Sequence, residues 1–183
     1  RVTPEALTLL VIDGLGHGAE ARRATDVALA LFERGDDDVA GFVRAANAAL
    51  RPTRGAALSL CRVVPADRTA YFMGIGNVEG RILTDGRTLG LVGRTGTLGM
   101  VRHAPMVHIT AHPWSHAGST LLVHTDGVRG TFEIAESADL FRHDPSVIAA
   151  AIYRDHVRGR DDATVVAVRG ADASLRESGA RIV

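Results

Sequence analysis

Between Ala56 and Thr125 six short β-like runs follow one another with no helix among them: Ala56–Val64, Ala70–Gly74, Val78–Thr84, Thr88–Val92, Met106–Ala111 and Ser119–Thr125. Pro65-Ala66-Asp67-Arg68 and Asp85-Gly86-Arg87 separate neighbouring runs, and Asp-Gly is a strong hairpin signal. Helical spacing appears only outside this block. Ala21, Ala24, Val27, Ala28 and Leu31 predict a helix over Ala19–Arg34, stopped by Gly35. A second runs from about Val39 to Leu50, with Asp38 as N-cap and Pro52 beyond its end, and a third covers Ser146–His156 with Ser146 as cap. Strands are also predicted at Leu7–Ile12 and Ala163–Val168. Helices that do not alternate with strands cannot be crossovers of a regular parallel sheet, so the class is α+β with layered, antiparallel sheets. With no repeat and no linker, residues 1–170 read as one domain and 171–183 as a polar tail.

Charge narrows the function classes. Lys+Arg and Asp+Glu balance at 21 each, so no net field draws in nucleic acid or an anionic membrane. No apolar run approaches the ~18 residues of a membrane span. The single cysteine, Cys61, lies in the apolar run AALSLCRVV and reads as a buried thiol rather than a nucleophile. With no signal-peptide pattern, the expectation is a cytoplasmic protein.

The chemistry concentrates at Leu7–Gly18, LTLLVIDGLGHG. A strand delivers Asp13 into a loop where Gly14, Gly16 and Gly18 alternate with Leu15 and His17, and a helix follows. That layout handles phosphate or metal. Gly14-x-Gly16-x-x-Ala19 formally fits a dinucleotide fingerprint, with Asp36 about 20 residues on. Three features oppose that reading: Asp36–Asp38 stands between two helices, Asp13 would repel a pyrophosphate, and the middle of the chain is hairpins. No Gly-Lys-Ser/Thr is present, so a Walker loop is excluded.

Two more acidic sites share the placement of Asp13. Thr125-Asp126-Gly127 ends an apolar strand and Asp161-Asp162 precedes the last one. Carboxylates at the mouths of buried strands stand on a rigid scaffold, and gathered together they would repel unless they bound cations. All-oxygen ligation suits Mg²⁺ or Mn²⁺. The plain alternative is a turn, and Thr84-Asp85-Gly86, flanked by β pattern on both sides, is read as one. After Asp126 no paired strand returns.

DGLGHG at Asp13–Gly18, GIGN at Gly74–Asn77, TDG at Thr125–Gly127 and DDAT at Asp161–Thr164 occur in that order. Together they resemble the metal-dependent protein phosphatase 2C superfamily in its bacterial SpoIIE branch, and most of all RsbX-like stress-response phosphatases, over about Leu7 to Arg169. The resemblance implies a four-layer α-β-β-α sandwich of two antiparallel sheets flanked by helices. It implies hydrolysis of phosphoserine or phosphothreonine by a metal-activated water, with two Mn²⁺ or Mg²⁺ ions. Asp13 would bridge the ions, the Gly14 carbonyl would ligate one, and Asp126 and Asp161 would complete the set. Asp162, Asn77 and His17 would stand beside the ligands. By the same resemblance the substrate is a phosphorylated STAS-domain regulator, either an anti-sigma antagonist or a stressosome protein.

The family carries a further acid on an earlier strand, in a Gly-Asp context, and nothing before Leu7 supplies it; Glu5 is in no matching motif. Either that strand lies upstream of Arg1 or the metal site is depleted. The alternative function is therefore a catalytically inactive phosphatase-fold module that binds such a partner. His17 sits two residues beyond the position of a general-acid histidine in some members, and reads as a proton donor or a loop-ordering group. His108, His112 and His116 recur every four residues, but β-branched neighbours and Pro113 make the segment strand and turn, where positions four apart lie about 13 Å from one another. That excludes one zinc ion. His124 is the only other histidine near a motif. Trp114 and the glycine-rich Gly93–Met100 are expected in loops, the latter a flexible connection or a substrate gate.

Overall fold

The computed structural model describes residues 1–35, 38–84, 86–101, 105–115, 118–130, 139–159 and 161–170. Expectations placed on Asp36, Asp37, Asp85, His103, His116 and the 171–183 tail lie outside them.

Among the described residues, eight strands form two antiparallel four-stranded sheets. They are β1 (Leu7–Gly14), β2 (Ala56–Val64), β3 (Thr69–Ile75), β4 (Glu79–Thr84), β5 (Arg87–Leu91), β6 (Thr110–Pro113), β7 (Thr120–His124) and β8 (Val165–Arg169). Sheet one runs β1-β2-β3-β6 and sheet two β5-β4-β7-β8. Helices α1 (Ala19–Arg34) and α2 (Val39–Ala49) cover sheet one, and α3 (Pro145–His156) covers sheet two.

Strand alternation explains the layers. Along β2, Ala56, Leu58 and Leu60 join the core under α1 and α2, while Ala57, Cys61 and Val63 join the core between the sheets. Ala24, Ala28 and Phe32 of α1 and Val43 and Ala46 of α2 close the first core. Leu122 of β7 packs on Ile148 and Ile152 of α3, whereas its neighbours Leu121 and Val123 face the inter-sheet core. This is the four-layer α-β-β-α sandwich that the resemblance implied.

Two local expectations are corrected. The strand expected at Met106–Ala111 forms over Thr110–Pro113, because only there does the chain reach the free edge of β3, pairing Phe72 with Thr110 and Tyr71 with Ala111. His112 sits in that strand, its ring Nε2 2.8 Å from the Thr110 hydroxyl. Helix α3 is capped by Asp144, not Ser146: the Asp144 carboxylate accepts from the Ser146 N–H at 2.8 Å, and Pro145 occupies the first turn, where its missing N–H costs nothing. Asp38 does hold the N-cap position of α2, but its side chain makes no capping bond. Trp114 follows β6 outside regular structure as expected, yet it is buried in the inter-sheet core.

Cys61 is buried as expected, and burial pushes its thiol up to about 12. A thiol-specific reagent is expected to leave the folded protein unmodified at pH 8 and to label Cys61 fully after denaturation. Rapid labelling of the native chain would contradict this packing.

Candidate active site

Asp13 and Asp126 approach one another from different sheets. Asp13 is next to last in β1, paired with Ala57 of β2, and its side chain is half-buried. Asp126 follows β7 by two residues, and Asp161-Asp162 sits in the turn that enters β8. Because β7 and β8 pair with His124 opposite Val165, the end of one and the start of the other lie side by side. Thr125 fastens them. Its N–H donates to the Thr164 carbonyl at 3.1 Å, and its hydroxyl accepts from the Thr164 N–H at 3.0 Å.

Two glycines allow the close approach. A methyl group on Gly14 would run into the Ala21 carbonyl of α1, and one on Gly127 would run into the Asp162 carbonyl. Each Asp-Gly pair thus places its acid on a backbone that touches the neighbouring segment directly. Further along the first loop, Gly16 and Gly18 take positive φ, and the Leu15 N–H donates to the Gly55 carbonyl at 2.9 Å.

The acids feel one another. Burial first, then the charges of Asp126 and Asp161, a hydrogen bond with Asp126 and the charge of Asp162 raise the Asp13 carboxyl from 3.8 to about 6. Without a cation, protonation of Asp13 relieves the repulsion. The Asn77 amide donates a short hydrogen bond to Asp126 Oδ2, fixing that carboxylate from the end of β3. Asp161 Oδ1 accepts from the Asp162 N–H at 2.9 Å. Asn77→Ala is expected to lower turnover about tenfold, with a small change in melting temperature, because it frees a carboxylate without opening a core.

The donor chemistry fits a hard divalent ion: carboxylate oxygens, the Gly14 carbonyl and an excess of negative charge that a cation would offset. Among the described residues no group of three or more His, Cys, Asp or Glu side chains is arranged to hold a metal ion. Glu5, the only acid before β1, is exposed in a turn whose N–H groups donate to the Thr3 hydroxyl.

His17 is exposed on the glycine loop and is not among the residues lining the cleft. His124 is fully buried, with Nδ1 3.0 Å from the Thr125 carbonyl. The Gly93–Leu98 segment is anchored: main-chain bonds join Arg94 to Gly74 and Gly76, and Leu98 to Ala56. Sequence reasoning missed Arg22 and gave no role to Thr125 and Thr164, although both lie in the TDG and DDAT motifs; all three line a cleft of about 640 Å³ together with Asp13 and Asp162. The position of Arg22, one turn into the helix after the glycine loop, was the available signal.

No helix of the described residues is long and apolar enough to cross a membrane. No curated protein sequence matches the chain. Solved structures do. A bacterial stressosome protein, from a system described as adapted to control secondary messenger signalling, is 27% identical, with TM-score 0.82 over 92% of this chain and 88% of that one. RsbX in complex with magnesium is 21% identical, with TM-score 0.77 over 91% and 82%. The catalytic domain of the serine/threonine phosphatase PstP, with two manganese ions, is 19% identical, with TM-score 0.69 over 94% and 90%. The sequence model of stage II sporulation protein E matches residues 3–170, from before β1 to just past β8. By that match and by its two-sheet architecture, the chain belongs to the SpoIIE family, a branch of the metal-dependent, PP2C-like phosphatases.

Proposed function

We propose that this chain is a Mn²⁺- or Mg²⁺-dependent protein phosphatase that hydrolyses phosphoserine or phosphothreonine. The observation that carries the reading is the clustering of Asp126, Asp161 and Asp162 around Asp13, which lines the cleft together with Asp162. Asp13, Asp126, Asp161 and the Gly14 carbonyl would hold the ions. Bound there, such ions supply an activated water and offset charge on the phosphoryl oxygens. The chain's own part is positional. Asn77 orients Asp126, the Thr125–Thr164 bonds hold the Asp161 turn against it, and Gly14 and Gly127 keep the spacing short. Cys61, buried between the sheets, is out of reach as a nucleophile.

Magnesium in the RsbX structure and manganese in the PstP structure support the metal requirement. The stressosome and RsbX likenesses support a phosphorylated STAS-domain regulator as substrate, an anti-sigma antagonist or a stressosome protein, in a cytoplasmic pathway. A second reading, a silent module that binds such a partner, is favoured by the open ligand set and by the exposure of Glu5. Phosphate release from a phosphoserine peptide separates the two. The phosphatase reading expects release with Mn²⁺ and none with EDTA. No release with Mn²⁺ would favour the silent module.

A further inference from the structure

One wall of the cleft is the start of α1, and Arg22 stands in it, its N–H bonded to the Gly18 carbonyl at 3.0 Å. Among the described residues lining the cleft, Arg22 carries the only positive charge; Asp13 and Asp162 carry negative ones. Its guanidinium is lightly engaged. Asp26, one turn on, lies 3.7 Å away, and the two side chains are 83% and 65% exposed. Water screens such a pair, so a stronger anion can displace it.

A phosphoryl dianion drawn to ions at the carboxylates would still present oxygens to the α1 wall of the cleft, where Arg22 is the one cationic residue among the described residues that line it. A guanidinium offers two parallel N–H donors that match two phosphate oxygens. Gly18 and Ala19, at the uncapped start of α1, line the same cleft, and the positive end of the helix dipole adds to the attraction. We infer that Arg22 binds the phosphoryl oxygens of the substrate and gives the cleft its preference for phosphorylated over unphosphorylated serine or threonine. This rests on the phosphatase reading above.

The test compares wild type, Arg22→Ala, Arg22→Lys and Arg23→Ala, all as the full chain with Mn²⁺. Arg23→Ala removes the same charge from the same helix outside the cleft. For turnover of a phosphoserine peptide, Arg22→Ala is expected to raise KM about tenfold or more with kcat within about threefold, Arg22→Lys to fall between, and Arg23→Ala to match wild type. Fluorescence anisotropy then compares the labelled phosphoserine peptide with its serine twin on the Asp126→Asn background, which keeps the peptide intact. The expected preference for the phosphopeptide, about tenfold, collapses when Arg22→Ala is added. Wild-type turnover with an unchanged KM in Arg22→Ala would overturn the role of Arg22 and leave the phosphatase reading standing. Absent wild-type turnover would sink that reading, and the anisotropy arm would still decide on Arg22. A preference that survives Arg22→Ala, or no preference at all, overturns it.

Discussion

Asp13→Asn is expected to reduce Mn²⁺-dependent phosphate release at least a hundredfold and, at the same time, to stabilise the ion-free protein. The first effect follows from its central place: losing groups that merely orient a ligand costs about 10–100-fold, and Asp13 would hold the ions directly. The second follows from charge. Held at about 6 against an ordinary 3.8, the Asp13 carboxyl binds its proton more tightly in the folded chain than in the unfolded one. Stability of the ion-free protein is therefore fullest below about pH 4, falls as pH rises towards 6, and is level above it. Allowing for solvent at this half-buried carboxyl, the loss is on the order of 1–2 kcal/mol. Asparagine cannot ionise, so the variant should lack that decline and melt higher at pH 8 in EDTA. Thermal melts across pH 4–8 read both curves. Superimposable curves would remove the acid cluster from the account.

Gly127→Ala is expected to be the most damaging single methyl in the site, costing about 3 kcal/mol or more. The added carbon meets the main-chain carbonyl of Asp162, and that backbone cannot retreat, because Thr125 and Thr164 bind each other in both directions. Any relief must break those bonds and carry Asp161 away from Asp126, so turnover should fall with stability. Gly90→Ala is the matched control: nothing lies within 4 Å of its added carbon, and its φ is not positive. Urea unfolding of both variants measures the contrast. Equal midpoints would show that the segments are not in contact.

Elements were easier to read from the chain than the contacts between them. Helix α1 and strand β2 were bounded to the residue because their apolar periods are uninterrupted and Gly35 and the Pro65 turn end them sharply. Strand β6 was misplaced because β-branched residues at 107–110 express a local preference, whereas the strand forms where β3 offers an edge. The α3 cap was misassigned by two residues because Asp144 and Ser146 are both capping types, and only Pro145 at the first position separates them. At the site, strand ends pointed to the acids. Nothing local pairs Gly127 with Asp162 or Thr125 with Thr164, since those contacts join segments more than 30 residues apart. The Asp-Gly repetition was the trace they left: Gly14 and Gly127 look like turn residues in the chain and act as contact points in the fold.

The most direct test of the central claim is Mn²⁺ binding itself, followed by the loss of the free-ion paramagnetic resonance signal as the chain is titrated near neutral pH. Saturable binding is predicted for the wild type, together with a rise in melting temperature as the ion offsets the acids, and Asp13→Asn should lose most of both. A wild-type chain that leaves Mn²⁺ free, or an Asp13→Asn variant that binds it equally well, would contradict the account.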